Sequence, residues 1–164
     1  MAVRARLSDF VTSGPHRLQD AEELMEMPTA HAQRSDAGSG HLRGAIYLAG
    51  YAVECLHKAY LIEQEECQPL VEAQARINKR RQSRGQEPID RIASSSAGHD
   101  IYYLVGLTDL STRPRYDPAL WGRLSAWKST LRYEHDAPKR EVAERYLRDV
   151  RKATQWPRPK IVTL

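Results

Sequence analysis

A chain of 164 residues, 41% hydrophobic and 28% charged, is about one domain with one sizeable core. Its net charge of +4 permits an acidic partner such as nucleic acid without requiring one. Two cysteines (Cys55 and Cys67), no apolar stretch in "MAVRARLSDFVTSG", and an apolar run "AIYLAGYAV" halted at Glu54 argue against a secreted disulfide scaffold and a membrane span. The expectation is a reduced, cytoplasmic protein of one domain, residues 1–164, with its core at about 17–155 and a basic tail at 156–164.

In "HRLQDAEELMEM", Leu18, Ala21 and Met25 recur at helical spacing with acids between them, so an amphipathic helix is predicted, ended by Pro28. "SDAGSG", Ser35 to Gly40, reads as a flexible turn. "HLRGAIYLAGYAVECLHKAYLIEQEE" carries Ala45, Leu48, Ala52, Leu56 and Ala59 on one stripe, widened by Ile46, Val53, Tyr60 and Leu61. So broad an apolar surface predicts a central helix packed on several sides, with Ala49, Gly50 and Ala52 small enough for close approach.

A further helix is predicted to run to about Ile77 and give way to a basic loop containing Lys79, Arg80, Arg81 and Arg84. "GHDIYYLVGL" is a short apolar segment. Asp117 before Pro118 predicts a helix start, a capping side chain followed by proline in the first turn. Leu120, Leu124, Trp127 and Leu131 then form an apolar seam. Asp136 and Pro138 suggest another start, with Val142, Tyr146, Val150 and Ala153 continuing to about Thr154. Only the C-terminal "KIVTL" resembles a strand, so the fold class predicted is all-α, a bundle of about four to five helices.

The chain lacks a phosphate-cradling glycine loop, a dinucleotide fingerprint, zinc-finger spacing, His-Glu-x-x-His and a serine nucleophile elbow. No cofactor or metal is therefore expected. Three constellations remain. Glu54 either pairs with Lys58 four residues on, or is a partly buried acid holding a cation from another helix, with Arg132 the candidate. The segment from Pro138 onward holds eight basic residues against three acidic ones. It is either a solvated helix face or a phosphate-contacting surface, with Lys139, Arg140, Arg80 and Arg81 as candidate contacts. In "LRYEHDAP", Arg132 and His135 are three apart; a guanidinium that stabilises a phosphorane and an imidazole that moves protons are what metal-free phosphodiester cleavage requires. The bland alternative is that Arg132 pairs internally and His135 is a turn residue; the expectation is that Arg132 is chiefly structural, seeking Glu54, and that His135, in a turn near Lys139 and Arg140, is the residue with a claim on function. Tyr102, Tyr103, Trp121 and Trp127 are the aromatics expected at a homodimer interface.

The segments "HRLQDAEELMEM", "LRGAIYLAGYAVECLHKAYL", "GHDIYYLVGL" and "WKSTLRYEHD" together resemble the HEPN family (higher eukaryotes and prokaryotes nucleotide-binding) over about Leu18 to Ala153. The resemblance implies an up-and-down helical bundle, often a homodimer, that binds nucleotide, RNA or a partner protein. It also implies a toxin–antitoxin or defence setting, beside a nucleotidyltransferase or antitoxin, and in some members metal-independent endoribonuclease activity. Active members carry an Arg, four to six residues, then His. Between Arg132 and His135 there are two, and Asp136 and Ala137 stand where some toxins have a tyrosine. The implied function is therefore a binding module without efficient catalysis, with an endoribonuclease using an irregular Arg–His site as the alternative.

Overall fold

A computed structural model describes residues 5–27, 37–89, 91–93, 96–113, 116–133 and 138–155, with main chain alone at 37–40, 132 and 133. The fold is all-α. Its helices are α1 (Leu7–Glu26), α2 (Ala37–Gln64), α3 (Leu70–Gln82), α4 (Ile101–Leu107), α5 (Pro118–Leu124) and α6 (Arg140–Thr154). Short 3₁₀ turns occupy Ser96–His99, Leu110–Thr112 and Ser129–Tyr133. Among the described residues there is no strand, only an isolated bridge between Arg6 and Pro69.

α2 is the central element, packed against α1, α3, α4, α6 and the turn Ser129–Tyr133. Ala45, Ile46, Ala49, Ala52, Val53, Ala59, Leu61 and Ile62 are all buried, while Leu48 and Leu56 are half-buried. α1 runs antiparallel to it: Gly14 lies against Ala52 and Cys55, and Gly44 against Leu24. One apolar cluster joins Ala21 of α1 to the first half of α2, to α4, α5 and α6, and to Trp127. A second joins the end of α2 to Leu70, Ala73 and Ile77 of α3, to Ile89, Ile92 and Leu104, and to Leu7 and Phe10 at the start of α1.

Several elements differ from the sequence expectation for local reasons. α1 starts at Leu7, where the Arg6 N–H donates to Asp9 Oδ2 at 2.7 Å and Leu7 and Phe10 find apolar partners. α2 starts at Ala37, inside the stretch read as a turn. α3 continues to Gln82, so Lys79, Arg80 and Arg81 form its last turn, a position where the helix dipole favours cations. The chain leaves α3 through Gly85 at φ +69°, a left-handed backbone suited to glycine. The α5 seam is not one helix. Asp117 Oδ1 accepts from the N–H groups of Ala119 and Leu120, and α5 ends at Leu124. Trp127 is reached through a turn and Leu131 through a 3₁₀ segment. In α6 the buried stripe is Ala143, Leu147, Val150 and Ala153, with Val142 48% exposed.

Trp121 and Trp127 are 2% and 3% exposed, so they belong to the chain's own core and not to an open interface. Of the four aromatics expected there, Tyr102, at 72%, is the fully exposed one. The stretch "KIVTL" lies outside the described residues. No helix among the described residues is long and apolar enough to cross a membrane.

Candidate functional site

The site begins with a buried acid. Glu54 is 1% exposed on the central helix, and an ionised carboxylate there needs partners. It has two. Lys58 Nζ, one helical turn on and itself 5% exposed, donates to Oε1 at 2.6 Å. His99 Nδ1 meets Oε2 at 2.9 Å from an element 45 residues away. The neighbour expected from helical spacing, Lys58, is therefore present, and so is a cationic or donor group from another element. Among the described residues that group is His99. The side chain of Arg132, the candidate partner, lies outside them.

His99 sits in "GHD", and the three residues have separate physical tasks. A Cβ on Gly98 would collide with the carbonyl of Ile92, so a glycine lets this turn approach the backbone behind it. His99 reaches Glu54. Asp100 caps α4, its Oδ1 accepting from the Tyr103 N–H at 3.0 Å. The His99 side chain is 41% exposed. It opens on a cavity of about 410 Å³ lined by two segments, Ser96, Ala97, His99 and Asp100 from one and Ser125 with Trp127–Thr130 from the other.

That cavity carries polar groups from both segments. Lys128 is exposed, and Ser129 and Thr130 add hydroxyls; none of the three makes a side-chain hydrogen bond or ion pair among the described residues. The Ser125 hydroxyl donates to the Trp121 carbonyl at 2.8 Å. Behind the wall, the Trp127 ring lies against Gly50, where a Cβ would strike the indole. His99 Nδ1 is engaged by the Glu54 carboxylate, which leaves Nε2 as the ring nitrogen with no protein partner among the described residues.

The other candidates are distributed differently. The main chain of Arg132 lies two residues past Thr130 in the Ser129–Tyr133 turn. His135 itself lies outside the described residues. Arg80 forks onto Glu65 at 2.6 and 2.9 Å, and Glu65 is nearly buried. Arg81 donates to the Glu87 carbonyl, and Arg140 to the Met25 carbonyl. Those three guanidiniums have protein acceptors, which makes them weaker phosphate ligands than free ones. Lys139 is exposed with no side-chain partner among the described residues, and so are Arg145, Arg148 and Lys152 on α6.

Two features were missed in the sequence. The first is His99 as the partner of Glu54, for which "GHD" beside an apolar helix was the available signal. The second is the pair Arg34 and His41, whose six intervening residues meet the Arg-to-His spacing that Arg132 and His135 lack. His41 is exposed near the start of α2, and Arg34 lies outside the described residues.

The cysteines offer no nucleophile. Burial, with Glu54 beside it, pushes the Cys55 thiol up to about 12, and Cys67 is also raised, chiefly by burial. No group of three His, Cys, Asp or Glu among the described residues is placed to hold a metal. Comparison with protein-family models, curated proteins and solved structures finds no match to this chain.

Proposed function

We propose that this chain is a HEPN-like helical module that binds a phosphate-bearing ligand, a nucleotide or nucleic acid, without efficient catalysis. The observation that carries the reading is the polar cavity in which buried Glu54 holds His99, with Lys128 and the Ser129 and Thr130 hydroxyls on the other lining segment. A cation and hydroxyl donors suit phosphate oxygens, and a histidine held in place offers a fixed polar contact rather than a mobile one. The HEPN resemblance adds a homodimer, a cognate nucleotidyltransferase or antitoxin, and a defence or toxin–antitoxin setting to this proposal. Light scattering at micromolar concentration tests the dimer.

A second reading, the metal-independent endoribonuclease, is favoured by one specific observation. His99 is oriented by a carboxylate, as an acid–base group is, and its cavity is also lined by Ser129 and Thr130 of the turn whose main chain includes Arg132. One experiment separates the two. Purified protein is incubated with RNA in EDTA and assayed for binding and cleavage, beside His99→Ala and His135→Ala. Binding without cleavage, weakened in His99→Ala, is the expected result. Cleavage that disappears in either folded variant establishes the second reading instead.

A further inference from the structure

The charges around His99 offer an anion little while the ring is neutral. Of the cavity's lining residues, Lys128 and Asp100 carry formal charge, and they are of opposite sign. The pair behind the ring on α2 cancels as well, because Lys58 Nζ meets Glu54 Oε1 at 2.6 Å. Glu54, Lys58, Asp100 and Lys128 are the charged groups described around His99, so a proton on the ring turns a balanced set into a positive one. The geometry accommodates that proton. The two oxygens of Glu54 have separate partners, and Oε2 is the one that meets His99 Nδ1 at 2.9 Å. The side chain is 41% exposed, and Nε2 has no protein partner among the described residues. An imidazolium donates from both nitrogens, whichever one holds the proton in the neutral ring.

Resting on the reading of this cavity as a phosphate site, we infer that anion binding here is coupled to proton uptake: His99 takes the ligand as an imidazolium, donating Nδ1–H to Glu54 and Nε2–H to a phosphate oxygen. Both bonds are charge-assisted, one to a buried carboxylate and one to the ligand. Lys128 and the Ser129 and Thr130 hydroxyls are the further donors. The balance is one proton taken from solvent onto the ring for each anion bound. Histidine changes charge between about pH 5 and 8, so the coupling operates around neutral pH. The complex holds more protons than the free protein, so affinity is greatest in mild acid and falls as pH rises. The fall approaches about tenfold per pH unit where uptake is a full proton.

The test uses the full chain and two anions whose own charge is constant across that range, inorganic sulfate and a short oligouridylate. Titration calorimetry in two buffers of different ionisation enthalpy counts the protons taken up. Nitrogen-15 NMR with long-range histidine correlations reads the ring. The expected result is uptake of about one proton per bound anion on the alkaline side of neutrality, with both His99 nitrogens protonated in the complex. His99→Gln, whose amide still donates to Glu54, binds more weakly, takes up no proton and shows a flat pH profile. Lys128→Ala weakens binding while the uptake persists. Uptake with either anion supports the coupling, and the anion that binds identifies the source as a free oxyanion or a polynucleotide backbone. Binding by the unaltered chain without uptake, or uptake unchanged in His99→Gln, overturns the coupling and leaves the phosphate reading standing. Binding of neither anion overturns both.

Discussion

Two buried residues on α2, three apart, solve the problem of a polar group in a core in opposite ways. Glu54 is fully engaged by Lys58 and His99. His57 is 0% exposed and both its ring nitrogens lack partners, with the ring tilted against Trp121 at 4.8 Å between centroids. Removing one member of a buried pair strands the other charge, so Lys58→Met is expected to cost about 3 kcal/mol in urea unfolding. The double variant with Glu54→Leu should recover much of that loss, since two apolar side chains replace the pair. For His57, burial lowers the pKa from 6.5 to about 3. A depressed basic group is neutral in the fold and gains a proton on unfolding. Its contribution is therefore complete above pH 6.5 and is lost as pH falls from there toward about 3. The loss approaches about 1.4 kcal/mol per pH unit within that window. His57→Leu is expected to flatten this acid slope by about one proton while changing stability near pH 8 by no more than about 1.5 kcal/mol. Urea midpoints measured from pH 8 to pH 4 check it; an unchanged slope rules out His57 as the source.

At the scale of elements, two glycines make opposite predictions. Gly50 lies under the Trp127 indole, with no room for a Cβ, and this packing seats the cavity wall on α2. Gly50→Ala is expected to displace Trp127, shift its fluorescence to the red and destabilise by about 1–3 kcal/mol, the range for overpacking. Gly122 is exposed within α5, with nothing near the position of a Cβ. Gly122→Ala should stabilise by about 0.4–1 kcal/mol, through helix propensity and a less flexible unfolded chain. Thermal melts of the two variants should move in opposite directions. The elements legible in the sequence were those whose signal is local. The breadth of apolar residues from Ala45 to Leu61 marked the central helix, and Asp117–Pro118 marked the start of α5. Less legible were boundaries set by partners distant in sequence. α3 outlasts its apolar pattern because its basic last turn is supported, Arg80 by Glu65 fifteen residues back and Arg81 by the Glu87 carbonyl beyond the helix. α1 reaches back to Leu7 because its first turn packs on the second cluster.

Over the whole molecule, the site was legible in part. Composition and spacing singled out Glu54, because an acid inside the most apolar helix must find partners. They gave Lys58 as a neighbour but not His99, because no periodicity links positions 45 residues apart. The distribution of charge has the same character. Sequence shows a basic C-terminal segment, but only the fold shows which cations are already engaged. Arg123 forks onto Asp149 at 2.7 and 3.0 Å, and Arg151 reaches Glu22 at 2.6 Å. Arg140 lies near Glu144, and Arg80 is held by Glu65. Arg145, Arg148 and Lys152 remain on one exposed stripe of α6, at spacings of three and four residues, with no ion pair among the described residues. Hydrogen bonds to Arg123 are the main reason the Asp149 carboxyl is lowered; Lys152 and Arg148 add to that effect, so their field is felt at the surface of the bundle. If the ligand is a polynucleotide, this stripe is where its backbone gains charge-dependent affinity beyond the cavity. Reversing all three to glutamate should weaken binding of a single-stranded oligonucleotide and flatten the plot of log affinity against log salt by about 2, at about 0.7 for each phosphate that is no longer neutralised. Arg80→Gln should leave that slope nearly unchanged, because its guanidinium is committed to Glu65. Fluorescence anisotropy between about 50 and 200 mM salt reads both. Equal slopes for the triple variant and the unaltered chain would exclude α6 as a phosphate-contacting surface.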